Sequence, residues 1–199
     1  MLEKTPEPIG RLLRPLRAGP SHLAWEAEGL QAPETIQLSS AAFAKGASLP
    51  GEHTTDGRGT SPPLAWRNVP AGATEMALIV EDADSPSPSP LIHLLVWGLP
   101  AGETSIPSGA FSRADPARNF GAVGKNSFRK LGWLPPDPPT GHGRHRYVFQ
   151  LFALDQRVQA RPGADRHDVV EALRGHVLAR GRVTAIYERE GSQHRGDRR

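Results

Sequence analysis

Pro138-Pro139-Thr140-Gly141-His142-Gly143-Arg144-His145-Arg146-Tyr147 runs without a break into Val148-Phe149-Gln150-Leu151-Phe152-Ala153-Leu154. The first half is a stiff double proline and a glycine-rich turn. The second is aromatic and aliphatic, the clearest strand signal in the chain. Their junction sets polar side chains at the mouth of a buried strand. A period of two puts His145, Tyr147, Phe149 and Leu151 on one face and Val148, Gln150 and Phe152 on the other. Arg144 and Arg146 then point away from His145, and Arg146 is expected to hold a carboxylate or loop carbonyls. His142, between two glycines, is expected to be exposed.

Working outward, Met76-Ala77-Leu78-Ile79-Val80 is continuously apolar, as a strand buried on both faces should be, and it leads into Glu81-Asp82-Ala83-Asp84. Ile92-His93-Leu94-Leu95-Val96-Trp97-Gly98-Leu99 is a second such run. Between them Ser85-Pro86-Ser87-Pro88-Ser89-Pro90 forms a stiff, extended connection. If the two runs are antiparallel neighbours, the exit of one meets the entrance of the next, and Asp82 comes to His93. Shorter strands are expected at Thr35-Ile36-Gln37-Leu38, Leu64-Ala65-Trp66 and Arg182-Val183-Thr184-Ala185-Ile186-Tyr187. Residues 43–63 and 100–135 are expected to be largely loop.

One helix is expected from an N-cap at Asp165, with Asp168 at N3 and Val169, Val170, Leu173, Val177 and Leu178 on its apolar stripe, closed by Gly181. Before residue 36, Pro6, Pro8, Pro15 and Pro20 forbid a long helix, so residues 1–35 are expected to be an N-terminal extension packing on the domain or on a second subunit. A domain over 36–189 follows, and the residues from Arg189 onward, chiefly 190–199, form a polar tail.

A length of 199 residues suits one core without metals or staples. The absence of Cys excludes disulfides and thiolate chemistry and fits a reducing compartment, so a cytoplasmic location is expected. The 20 Pro and 21 Gly favour many short strands joined by loops. A net charge of +3, with the arginine excess in the two ends, argues against a nucleic-acid binder despite a pI of 9.7. Leu12-Leu13 is too short for a signal-peptide core, and no run reaches the ~20 apolar residues of a spanning helix.

Three blocks, in order, resemble the phosphatidylethanolamine-binding protein family, in particular its bacterial Raf-kinase-inhibitor-like branch. Ser61-Pro62-Pro63-Leu64-Ala65-Trp66 with Val69-Pro70-Ala71-Gly72 resembles the family's "SPPLSW…VPAG". Asp82-Ala83-Asp84-Ser85-Pro86 followed by His93 resembles "DPDAP…H", and Gly141 to Tyr147 resembles "GxGxHRY". Asn126-Ser127-Phe128 through Gly132-Trp133 keeps the length of the "NDFG…GY" approach to the prolines. The departures are Ala83 for Pro, Ser85 for Ala, Pro135 for Gly, and Leu91-Ile92 where relatives carry aromatics.

The resemblance implies a mainly β protein: an antiparallel sandwich with a large central sheet, a smaller sheet and one or two peripheral helices. It also implies a small anion pocket of Asp82, His93, His145 and Tyr147 rimmed by Pro86, Pro138 and Pro139. Asp84 is assigned either to that ligand-binding set or to an Asx-turn in its own loop. The expected ligand is a phosphate, a carboxylate or a phospholipid headgroup, or a phosphorylated protein; no cofactor, metal or catalysis is expected, and a homodimer is. Physically, two imidazoles and a phenol offer donors to an anion, with a carboxylate orienting one ring. Two other readings use the same residues: an Asp/His hydrolase or metal-assisted enzyme, and a kinase-inhibitor-like interaction module. Neither a Gly-x-Ser-x-Gly elbow nor tight ligand spacing favours the enzyme.

Overall fold

The computed structural model describes residues 5–112 and 120–189. Along the chain come α1 (Glu7–Leu13), β1 (Gln37–Ser39), β2 (Leu64–Arg67), β3 (Glu75–Asp82), β4 (Leu91–Pro100), β5 (Ser105–Ile106) and β6 (Ala122–Val123), then β7 (His145–Leu154), α2 (Arg166–Leu173) and β8 (Val177–Tyr187). All strand pairs are antiparallel. A five-stranded sheet has the order β6-β4-β3-β7-β8, and a three-stranded sheet has the order β1-β2-β5. The protein is thus mainly β, with a large sheet, a small sheet and two peripheral helices.

Central position explains the apolar runs. β3 lies between β4 and β7 and is buried along its whole length. Its Met76, Leu78 and Val80 join Leu151 and Phe149 of β7 and Trp66 of the small sheet in one core between the sheets. Ala77 and Ile79 join Phe152, Val169, Val170 and Leu173 in a second core on the other face. Each large apolar side chain moved from water to such a site contributes about 1.5–3 kcal/mol, so both faces of the sheet stabilise the fold.

The second core is completed by the chain's own N-terminal part. Leu23, Ala24, Trp25 and Leu30 are buried there. Burying their backbone would cost hydrogen bonds unless partners were supplied. Glu81 Oε2 accepts from Ala24 N–H at 2.7 Å, and Gln150 Oε1 accepts from Trp25 N–H at 2.7 Å. Glu81, wholly buried, is compensated by Arg166 Nε at 2.6 Å and Gln150 Nε2 at 2.7 Å, so its charge is paired as burial demands. Arg180 lies 4.0 Å over the Trp25 ring and donates to Trp25 O. The extension therefore packs on its own domain.

Two sequence expectations need correction. Asp165 does cap α2, accepting from Asp168 N–H at 3.1 Å, but the helix stops at Leu173. Gly175, at φ +75°, turns the chain, and Val177 and Leu178 open β8 with Gly181 inside that strand. Their apolar spacing fits a helix locally, and pairing with β7 overrides it: Val177 faces Leu154 and Gly181 faces Leu151. Arg189 is not part of a loose tail, because its guanidinium is held by Asp56, Asp137, Thr55 Oγ1 and Pro138 O. The expected tail 190–199 lies outside the described residues. Within the expected loop 100–135, β5 and β6 each complete a sheet edge. No helix among the described residues is long and apolar enough to cross a membrane.

Candidate functional site

The site forms where three central strands end together. Register puts Asp82, the last residue of β3, opposite Leu91 on β4 and Tyr147 on β7. His93 reaches the same place through an irregularity. Val80 pairs with Leu94, but the next residue, Glu81, pairs with Ile92, so His93 is left over. Such a bulge re-aims a side chain, and here it turns His93 toward Tyr147, whose ring meets it edge-on at 5.0 Å.

Asp82, Pro86, His93, Pro138, Pro139, His145 and Tyr147 line one cleft, together with Leu91, Phe128, Leu134, Pro135 and Asp137. Its volume is about 10 Å3, roughly the room a single water needs. Asp84 is not among the lining residues. Its Oδ2 accepts from Arg146 N–H at 2.9 Å and Nε at 2.7 Å, its Oδ1 accepts from Arg146 Nη2 at 2.8 Å, and Arg17 lies 3.0 Å from it. Burial acts to raise the Asp84 carboxyl, but the bonds from Arg146, with its charge and Arg17, outweigh it and hold the pKa below the ordinary carboxylate value. Arg146 thus takes the carboxylate role expected of it.

The polar atoms of the cleft divide into bound and free. His145 Nδ1 is 2.7 Å from Asp82 Oδ2, and its Nε2 is 2.7 Å from His142 Nδ1, so neither ring nitrogen is open to a ligand. His93 uses Nδ1 on Leu134 O at 2.6 Å, and its Nε2 has no partner. Tyr147 Oη is also buried without a partner. These two atoms are what the site offers a ligand. Because Nδ1 must donate to a carbonyl, a neutral His93 turns a lone pair, not an N–H, toward the cleft. Burial, against the opposing charge of Asp82, lowers the His93 pKa and favours that neutral form. Burial, aided by Asp82, pushes the Tyr147 phenol well above its usual value, so it remains a donor.

His142 is not the exposed turn residue its glycine neighbours imply. It is fully buried, with Nε2 2.9 Å from Leu13 O and 3.2 Å from Leu16 O. Burial, then the charge of His145, lowers its pKa. Backbone carbonyls more than a hundred residues away leave no mark in the sequence, so nothing there signals this contact. Asp137 was also not singled out by the sequence. Its Oδ1 accepts from Arg189 Nη1 at 2.6 Å and from Thr55 Oγ1 at 3.0 Å, which offsets its charge at the cleft. Among the described residues no cluster of His, Asp and Glu is arranged to hold a metal ion.

Residues 39–188 match the family model described as phosphatidylethanolamine-binding protein. A UPF0098 protein of Methanothermobacter thermautotrophicus is 36% identical over 154 residues, 77% of this chain and 99% of that one. The crystal structure of the phosphatidylethanolamine-binding protein homologue CT736 of Chlamydia trachomatis superposes with a TM-score of 0.71 at 32% identity, covering 78% of this chain and 99% of that one. YbcL of E. coli gives 0.72 at 29% identity, covering 77% and 98%.

Proposed function

Because this chain belongs to the phosphatidylethanolamine-binding protein family, we propose that its cleft binds a small anionic group, a phosphate or carboxyl, free or carried on a headgroup or phosphorylated protein. The observation that carries this reading is the pair of buried, unpartnered atoms, Tyr147 Oη and His93 Nε2. A buried polar atom without a partner costs about 1–3 kcal/mol, a cost that a ligand relieves. Tyr147 donates to a ligand oxygen. His93 is satisfied by one proton lying between its Nε2 and the ligand, brought by the ligand's own O–H or by protonation of the ring. His145 shapes the wall of the cleft and offers no free N–H.

The cleft is smaller than a phosphate group, so binding requires the rim to open. Phe128, 43% exposed, is the lining residue most open to solvent. Binding makes and breaks no bond in this reading. Calorimetric titration at pH 5.5 with inorganic phosphate and with O-phosphoethanolamine is expected to give saturable binding and unchanged ligand. Turnover of phosphomonoesters or carboxyl esters, lost in Tyr147→Phe, would replace the binding reading with the hydrolase one.

A further inference from the structure

Three hydrogen bonds in series leave the cleft and end on the N-terminal segment. They are Asp82 Oδ2 to His145 Nδ1 (2.7 Å), His145 Nε2 to His142 Nδ1 (2.7 Å), and His142 Nε2 to Leu13 O (2.9 Å), shared with Leu16 O (3.2 Å). Each bond needs one proton. Two neutral imidazoles bring two, and an ionised Asp82 brings none, so the intact series holds one proton more than its neutral rings supply. The carbonyls only accept, which fixes a proton on His142 Nε2. The remaining two lie on His145, between the carboxylate and a neutral His142.

Removing the third proton leaves three poor choices. A His145 lone pair faces the Asp82 carboxylate at 2.7 Å, two ring lone pairs face each other at 2.7 Å, or His142 turns a lone pair onto the Leu13 and Leu16 carbonyls. His142, His145 and Asp82 are 0%, 1% and 3% exposed, so water does not repair any of them. The first sets a negative charge against a lone pair, and the last detaches the N-terminal segment. That segment is closely seated: a Cβ on Gly10 would lie 1.9 Å from Thr140 O, and Arg14 Nε donates to Gly141 O at 2.7 Å. Arg17 donates to Arg144 O at 2.8 Å and to His142 O at 3.3 Å.

We propose that His142 is a positioning residue that links the charge of the pocket to the seating of residues 6–17. While the segment is seated, its carbonyls hold His142 in the tautomer that accepts from His145, and the pocket keeps its extra proton. When the proton leaves, the segment loosens. By reciprocity, an anion beside His145 holds the proton and tightens the segment; this last step rests on the anion-binding reading above. The charged groups around the pair are Asp82 on β3, Asp84 with Arg146, Arg144, and from the segment Arg14, Arg17 and the Glu7–Arg11 ion pair; His93, Tyr147 and Asp137, the last paired with Arg189, face it across the cleft. Of these side-chain types, only the imidazoles ordinarily titrate between pH 5 and 8.

The test is NMR on the full-length 15N-labelled protein from pH 5.5 to 8.5. Histidine ring correlations report the shared proton, and backbone heteronuclear NOEs at Ile9, Gly10, Arg14 and Leu16 report seating. Loss of the proton and loss of order at these residues are expected at one pH, with the sheet signals unchanged. His142→Phe is expected to leave the segment loose at every pH. Gly10→Val disturbs the seat without touching a titrating group, and should move proton loss down by roughly one to two pH units, the size of an ordinary coupling. Proton loss with the segment still ordered, or a loosened Gly10→Val segment with unchanged ring signals, would overturn the linkage. Inorganic phosphate should raise both transitions. If it raises neither, the anion reading fails, while the phosphate-free series still decides the linkage.

Discussion

The two sides of the cleft are built from the same kinds of residue and treated in opposite ways. On one side Asp82, His145 and His142 satisfy one another down to the last ring nitrogen. On the other, His93 and Tyr147 each keep a buried polar atom with no partner. A satisfied network fixes geometry and charge, and an unsatisfied pair stores a need that a ligand meets. Perturbing the closed side should therefore damage the fold and the pocket's charge, whereas perturbing the open side should damage binding alone.

The largest effect should come from Asp82→Ala on the closed side. It leaves the His145 Nδ1–H and the Asp84 N–H buried without the carboxylate that accepts from both. Urea unfolding should show a loss of about 3–5 kcal/mol, the cost of breaking a buried charged pair. A loss under 1 kcal/mol would mean the closed side is not charged. Next comes Tyr147→Phe, which removes the open side's donor. Phosphate affinity should fall roughly ten- to a hundredfold, from about 1.5–3 kcal/mol for a hydrogen bond to a charged group, while the urea midpoint holds or rises. A destabilised variant with normal binding would reverse the roles given to the two sides.

A smaller effect follows from pH. The complex holds one proton between His93 and the ligand, whereas the free ring has a lowered pKa and favours its neutral form. The affinity of a phosphomonoester should therefore fall with rising pH, by about tenfold per unit, once the ligand passes its second ionisation near ~6. Calorimetry at several pH values checks this, and a flat profile argues for a ligand that brings its own donor. The smallest effect is outside the cleft. Asp84, whose pKa is lowered in the folded protein, contributes stability above its unfolded value of ~3.9 that is lost as pH falls through the folded one. Arg146→Gln should start acid unfolding at higher pH, but by less than about 1 kcal/mol, since that guanidinium is 46% exposed.

Much of the cleft could be read from residue order. The strand ends bearing Asp82, His93, His145 and Tyr147 announce themselves as polar residues closing apolar runs, and the family blocks place them together. What escaped depends on contacts without a sequence signal. His142 is explained by two carbonyls of the N-terminal segment, and His93 points correctly only because of a bulge that apolar periodicity does not reveal. Asp84 suits either the pocket or an Asx-turn in its own loop by sequence; its carboxylate instead meets Arg146 of β7 and Arg17 of the N-terminal segment. The end of α2 was misplaced because Val177 and Leu178 continue its spacing while belonging to β8.

Trp25 illustrates a different kind of constraint, one on time. Its ring meets Phe152, Arg180 and Arg182, and its carbonyl accepts from Arg180, 155 positions further along the chain. At a synthesis rate of 5–20 residues per second, roughly 8–30 s separate the appearance of Trp25 from that of its last partner. During that interval the seat of Trp25 is incomplete, with Glu81, Gln150 and Phe152 present before the arginines that close it. A segment made well before its last partners is thus among the last to find its final place.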